Sequence, residues 1–137
     1  MQIWKQWIPS EDIYDLLIAK SDYFSDKKVI LGFENKKNSK FINIIFEGFL
    51  SLRESDEFSY EKSFADLALY FKKNKPIDAR PWFLFVIENS EYIQSFRKET
   101  LGLFDEVNIK HYVIIADDVI SEVLSPSAPK IEVTNKV

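Results

Sequence analysis

The fold class is decided by Phe41–Arg53, whose sequence is FINIIFEGFLSLR. Apolar side chains at even positions, such as Ile42, Ile44 and Leu52, alternate with polar side chains over most of this stretch. Because successive side chains of a strand point to opposite faces, a period of two predicts one β-strand with an apolar face against a core. Gly48 interrupts the alternation and predicts a bulge or a bend in this strand.

The residues before this strand predict a hairpin and a helix. Val29–Glu34 reads as a second strand, joined to the first through the polar turn Asn35–Ser39. Further upstream, Ser10 is a typical helix N-cap, and Glu11 and Asp12 supply carboxylates in the first turn. The apolar stripe of this helix consists of Ile13, Leu16 and Leu17. A short extended opening that contains Trp4 and Trp7 precedes it.

After Arg53 the chain predicts an acidic loop and a second helix. The loop is Glu54–Glu57, and Ser59 or a neighbour caps the helix that follows. One side of this helix carries Phe64, Leu67, Ala68 and Phe71. Lys72, Lys73 and Lys75 complement its carboxyl end, and Pro76 ends it.

The second half of the chain predicts three strands and a third helix. Trp82–Ile87 is continuously apolar, which is typical of a central strand covered on both faces. Ser90 caps a helix that carries Ile93, Phe96 and Leu101, and Gly102 is well placed to end it. Ile109–Ala116 and Val119–Leu124 read as strands joined by a tight turn at Asp117-Asp118. A last extended piece follows the break at Ser125–Pro129.

Together these elements predict a single α+β domain over residues 1–137. The expected architecture is an antiparallel or mixed β-sheet with about three packed helices, in the order β-α-β-β-α-β-α-β-β. A chain of 137 residues is long enough to bury its own core. We find no linker, internal repeat or low-complexity segment in the sequence.

Composition excludes several classes of function. The absence of cysteine rules out disulfides, thiolate metal sites and cysteine nucleophiles. The formal net charge of −4 argues against a general nucleic-acid binder and is compatible with a basic protein partner. The amino terminus lacks a signal-peptide pattern, and no apolar run approaches the ~20 residues that a membrane span requires. We therefore expect a cytoplasmic protein that binds neither nucleic acid nor membrane.

The sequence offers little for catalysis. His111 is the only histidine, lies in a predicted strand, and has neither a visible orienting carboxylate nor a cleft, so a structural or edge role is expected. The three glycines are too scattered to form a phosphate-binding loop. We expect no catalytic residue, no cofactor and no metal.

Some aromatic and apolar residues are difficult to place in the core from the sequence. They are Trp4, Trp7, Phe41, Ile45 and Phe49. One interpretation is packing on the second face of a strand. The alternative is an interaction surface or a dimer contact.

The carboxyl-terminal third resembles small bacterial proteins encoded beside polymorphic toxins, including immunity proteins of contact-dependent growth inhibition. The segments that carry the resemblance are Pro81–Ser90 leading into Ile93 and Phe96, then Ile109–Ile115, then Val119–Leu124, with Ala128-Pro129 after them. The resemblance implies a cytoplasmic, non-catalytic protein that binds one cognate toxin domain, often a nuclease, and blocks its active site or substrate groove. Binding residues in such families vary with the toxin, so no residue role is carried over.

Nuclease active sites are basic because they hold phosphates, so an acidic surface is suited to occupy them. We therefore predict five carboxylates as charged contacts with the toxin: Glu54, Asp56, Glu57, Asp117 and Asp118. The main alternative is a non-catalytic homo-oligomeric regulatory or scaffold protein, with the unplaced aromatics forming a homodimer contact. An enzyme that uses His111 and a nucleic-acid binder are the remaining hypotheses.

Overall fold

A computed structural model describes residues 2–7, 17–35, 40–56, 84–116 and 119–135. Within these ranges the chain forms nine β-strands and one α-helix. The strands are β1 Ile3–Gln6, β2 Leu17–Phe24, β3 Lys28–Asn35, β4 Lys40–Glu47, β5 Ser51–Asp56, β6 Leu84–Glu88, β7 Lys110–Ile115, β8 Val119–Ser125 and β9 Lys130–Asn135. The helix, α1, is Glu91–Glu99 and lies between β6 and β7.

The strands form two antiparallel sheets. One sheet has five strands in the order β1-β6-β7-β8-β5, and the other has four in the order β2-β3-β4-β9. The segment Phe41–Arg53 therefore supplies two strands, β4 and β5, and these belong to different sheets. The chain crosses at Gly48, which has a φ of +71° and donates its N–H to the carbonyl of Lys27. The prediction of a bend at Gly48 is confirmed, and the prediction of one continuous strand is wrong.

The two sheets pack face to face around the main core. This core draws Val29, Leu31, Phe33, Ile42, Ile44 and Phe46 from the four-stranded sheet and Leu84, Tyr112, Ile114 and Val123 from the five-stranded sheet. The rings of Phe46 and Tyr112 meet across the interface with centroids 5.3 Å apart. Alternating apolar residues on the two inner faces are the usual basis of such a β-sandwich.

The opposite face of the five-stranded sheet carries a second apolar cluster, formed by Trp4, Phe85, Ile87, Val113 and Ile120. The indole of Trp4 meets the ring of Phe85 edge-on at 5.3 Å. Because Leu84 lies in the main core and Phe85 in this cluster, β6 is covered on both faces, as its continuous apolar sequence predicts. The helix α1 follows β6 and packs on this same side of the sheet through Ser90 and Tyr92.

The predicted fold class is wrong. The described residues are mostly β-structure in two antiparallel sheets, and they contain one helix rather than about three. Leu17, expected on a helix stripe, begins β2, where it pairs with Asn35 of β3. A short apolar run fits the helical period of 3.6 residues and the strand period of two about equally poorly. Pairing with a neighbouring strand therefore decides whether the segment forms a helix or a strand. The rest of that predicted helix, from its cap at Ser10 to Leu16, and the whole of the predicted helix from Ser59 to Lys75 lie outside the described residues.

Other elements are confirmed. The extended opening is β1, and the strands predicted at Ile109–Ala116 and Val119–Leu124 are β7 and β8 to within one residue at each end. Ser90 is the N-cap of α1, and the last extended piece is β9. Among the described residues, no helix has the length and apolar character needed to cross a membrane.

Candidate functional site

The only histidine, His111 on β7, lies at the centre of a buried hydrogen-bond network. Its Nδ1 is 2.7 Å from the Oγ of Ser90, and its Nε2 is 2.9 Å from Oε1 of Glu122. The side chains of His111 and Glu122 are each only 1% exposed. The expectation of a structural histidine agrees with this placement. The expectation of a histidine without a carboxylate partner is wrong.

Each polar atom at the centre of this network has a partner. Ser90 Oγ accepts the backbone N–H of Ile93 at 3.0 Å, as an N-cap does, and also shares a hydrogen bond with His111 Nδ1. His111 Nε2 is hydrogen-bonded to Glu122, so both ring nitrogens have partners inside the fold.

Arg53 on β5 completes the network from the partly exposed side. Its Nε and Nη2 donate to the two oxygens of Glu122 at 2.7 and 3.1 Å, a bidentate geometry that favours strong pairing. The guanidinium also lies over the ring of Tyr92, with its Cζ 4.0 Å from the ring centroid. Tyr92 in turn shares a hydrogen bond with Ser51 at the start of β5. The network thus joins α1 to β5, β7 and β8.

Serine, histidine and glutamate are the residue types of hydrolytic triads, but this arrangement is built for packing. A nucleophilic serine must reach its substrate, whereas Ser90 is only 4% exposed. Its oxygen is also committed to the first turn of α1 as the N-cap acceptor. The geometry therefore fixes a helix to a sheet and compensates a buried carboxylate.

Sequence reasoning missed Glu122, although a signal was present. Alternation along β8 puts Glu122 on one face with Ile120 and Leu124, and all three are buried. A carboxylate on an otherwise apolar strand face requires a partner, because an unpaired buried charge is very costly. The nearest candidates on the neighbouring strands of the sheet are Arg53 and His111.

The predicted acidic contacts are only partly described. Glu54 and Asp56 lie within strand β5, so the prediction of a loop at these positions is wrong. Glu57, Asp117 and Asp118 fall outside the described residues. Asp56 pairs with Val119, the residue that follows Asp118 in the chain, so the end of β5 lies beside the start of β8.

Glu54 has an altered acidity that links the two sheets. Its pKa is raised to about 7, first by partial burial of the carboxyl, although the residue as a whole stays exposed. A hydrogen bond with Asp22 of β2 and repulsion from that carboxylate raise the pKa further. The hydroxyl of Ser121, which donates to Glu54 at 3.3 Å, acts in the opposite direction. The two carboxyls therefore meet across facing strands of different sheets.

The chain after α1 presents the most exposed large apolar side chains of the described residues. Leu101 is 93% exposed and Leu103 is 77% exposed. The prediction that the helix carries Leu101 is wrong, because α1 ends at Glu99 with Thr100 as its C-cap. Leu101 follows in the left-handed region with a φ of +54°, and Gly102 has a φ of +81°.

This helix end is a Schellman motif with an unusual residue. Gly102 N–H bonds to the carbonyl of Arg97, and Leu101 N–H bonds to that of Lys98, which are the two hydrogen bonds of the motif. Glycine usually occupies the first left-handed position because it lacks a Cβ. Here that position is Leu101, and the glycine comes one residue later.

We call Glu99–Glu106 the leucine loop. Arg97 braces it, since its guanidinium donates to the carbonyls of Phe104 and Val107. The ring of Phe104 also packs on Phe96 of α1 with centroids 5.3 Å apart. The loop contains three carboxylates, at Glu99, Asp105 and Glu106, and no lysine or arginine. Its formal charge is therefore −3.

The aromatic and apolar residues proposed for an interaction surface pack mainly within the fold. Trp4 and Ile45 are buried, and Trp7, Phe41 and Phe49 are half-buried. Trp4 packs on the second face of the five-stranded sheet, as the first interpretation expects. Trp7 and Phe49 instead pack against the main core, where Trp7 meets Tyr112 at a centroid distance of 5.2 Å. Within the described ranges, no group of three or more histidine, aspartate or glutamate side chains is arranged to hold a metal ion.

The network predicts a large effect of a small deletion at the helix cap. Ser90→Ala removes both the N-cap acceptor and the hydrogen-bond partner of His111 Nδ1, and we expect the free energy of unfolding to fall by about 2–3 kcal/mol. Ser90→Thr keeps the hydroxyl and is the matched control. Urea unfolding of both variants measures the effect, and equal stability of Ser90→Ala and wild type would contradict it.

The Glu54 carboxyl predicts a pH-dependent stability. Because its folded pKa of about 7 lies above the ordinary 4.5, its protonated form stabilises the fold fully below pH 4.5. That contribution is lost as the pH rises to 7. Solvent screening at this exposed position limits the effect to about 1 kcal/mol. Relative to Glu54→Gln, wild type should lose stability between pH 5 and pH 8 in chemical denaturation, and a constant difference would refute this assignment.

The helix end predicts a substitution that removes a large side chain without destabilising the fold. Leu101→Gly relieves the left-handed strain and removes almost no packing. We expect the free energy of unfolding to stay the same or to rise by up to about 1 kcal/mol. Leu84→Gly in the core is the contrasting variant and should be strongly destabilising. A loss of more than about 1 kcal/mol in Leu101→Gly would show that this leucine packs in solution.

Comparisons of the chain with protein-family models, with curated proteins and with solved structures find no match. The interpretation of the site therefore depends on its own geometry.

Proposed function

We propose that this protein is an immunity protein, which binds a cognate toxin domain with nuclease activity and blocks its active site or substrate groove. The observation that carries the proposal is the exposure of Leu101 and Leu103 on a braced, hydrogen-bonded loop. Large apolar side chains held in solvent on an ordered element are typical of protein-binding surfaces.

The charge of the chain supports a basic partner. The net charge is −4, and the leucine loop alone accounts for three carboxylates. A nuclease concentrates positive charge where it holds phosphates, so an acidic protein is steered toward that region during association. A few desolvated apolar anchors inside a charged rim then provide most of the binding energy.

The buried network supports inhibition by occlusion rather than by chemistry. Ser90, His111 and Glu122 bond to one another inside the fold, so the proposal assigns them the task of fixing α1 on the sheet. The leucine loop begins with the last residue of that helix. A rigidly placed loop loses little conformational entropy when it binds.

Co-expression tests the proposal directly. We expect the gene immediately upstream to encode a long protein with a toxic carboxyl-terminal domain, and this domain is produced in a bacterial host with or without this chain. We expect the domain alone to arrest growth, and co-expression to restore growth and yield a complex that survives gel filtration. An empty vector and an unrelated acidic protein of similar size are the controls. Persistent arrest together with separate elution of the two chains would refute the proposal.

The second candidate function is a homo-oligomeric scaffold, since exposed leucines also suit a contact with another copy of the chain. Sedimentation at micromolar concentration separates the two. The immunity proposal needs no self-association, whereas the scaffold requires a dimer that Leu101→Gly dissociates.

A further inference from the structure

We infer that the leucine loop is the element of this chain that enters the toxin, and that its receptor is an apolar pocket rimmed by lysine and arginine side chains. This inference rests on the proposed function and adds the contact surface and the chemistry of the partner's site.

The position of Leu101 is the first argument. A leucine in the left-handed position of a helix end is strained, and such strain persists in folds mainly where it serves binding or catalysis. The side chain receives no packing in return, because it is 93% exposed. A glycine would satisfy the same two backbone hydrogen bonds with less strain. The leucine side chain therefore has its use outside the folded chain.

The bracing of the loop is the second argument. Backbone hydrogen bonds link Leu103 N–H to the Thr100 carbonyl and Asp105 N–H to the Gly102 carbonyl. The guanidinium of Arg97 fixes the loop from the other side by donating to the carbonyls of Phe104 and Val107. The loop is thus ordered before any partner arrives, which lowers the entropic cost of binding.

The charge around the leucines identifies the chemistry of the receptor. The Asp105 carboxylate lies against Gly102, the residue between the two leucines, with Oδ2 3.2 Å from the position where a Cβ would stand. Glu99 and Glu106 flank the pair. Arg97 and Lys98 are the adjacent cations, and the three carboxylates outnumber them. A pocket with apolar walls and a basic rim complements this pattern.

The acidic end of β5 is a separate surface. The leucine loop leads into the start of β7, whereas Asp56 pairs with Val119, next to the far end of β7. Six residues of strand separate the two ends, which corresponds to roughly 20 Å. Substitutions at one end therefore leave the other intact, and the two surfaces can be compared in one experiment.

The experiment measures binding of purified variants to the upstream-encoded toxin domain, carrying an inactivating substitution, by calorimetry and surface plasmon resonance. Leu101→Gly and Leu103→Ser are each expected to weaken binding by about tenfold or more, and the double variant by about a hundredfold. Tyr23→Ser alters another exposed large side chain, 58% exposed and on the four-stranded sheet; it is the control and should bind like wild type. The melting temperature of Leu101→Gly should remain at or above that of wild type.

The outcomes separate this inference from the proposed function. If both leucine variants bind the toxin domain as well as wild type does, the leucine loop is not the contact surface. Loss of binding in Asp56→Lys alone would then place the contact at the acidic end of β5. If wild type does not bind the toxin domain, the proposed function fails, and this inference fails with it. The double variant Glu99→Lys/Glu106→Lys should associate more slowly at low salt. An unchanged association rate would contradict the inference that lysine and arginine side chains surround the partner's pocket.

Discussion

The buried carboxylate of Glu122 is the constraint on which the rest of this structure depends. A charge that is 1% exposed inside a sheet must be paired, because its desolvation is otherwise prohibitive. Arg53 supplies the opposite charge, and His111 supplies a further donor. These partners come from three adjacent strands, so the pairing fixes β5, β7 and β8 in register. It also determines which face of the sheet receives α1, since Ser90 is the remaining partner of His111.

The pairing of Arg53 with Glu122 also influences two elements beside the sheet, the crossing at Gly48 and the helix α1. β5 is the edge strand that the chain enters after the turn at Gly48, so its anchoring through Arg53 also fixes the crossing between the two sheets. On the other side, α1 is held at its first turn by Ser90 and at Tyr92 by the Arg53 guanidinium. The direction of α1 then sets where Arg97 braces the leucine loop. An internal ion pair thus determines the geometry of an external surface.

The sequence predicts local structure better than it predicts which elements meet. The alternation in Phe41–Arg53, the apolar run before Glu88 and the Ser90 cap each indicate the correct element because side-chain period and capping are local properties. Sheet membership is not local, and nothing in Phe41–Arg53 shows that its two halves belong to different sheets. The pairing of Leu17 with Asn35 is similarly non-local, which is why the α+β prediction fails. The pairing of Glu122 could have been predicted from the sequence, since a glutamate on an apolar strand face implies a buried partner.

The leucine loop shows why a candidate binding site can escape sequence analysis even when its residues are examined. Ile93, Phe96 and Leu101 follow the helical period, and this period places all three on one helix. The period holds only while the helix continues, and the hydrogen bonds at Arg97 and Lys98 end it before Leu101. A glycine at 102 indicates a helix end nearby, yet it does not specify whether the left-handed residue is 101 or 102. Because Leu101 occupies the left-handed position after the helix, it is exposed instead of lying on the apolar face of the helix. This difference between the sequence pattern and the structure identifies the leucine loop as a candidate binding surface.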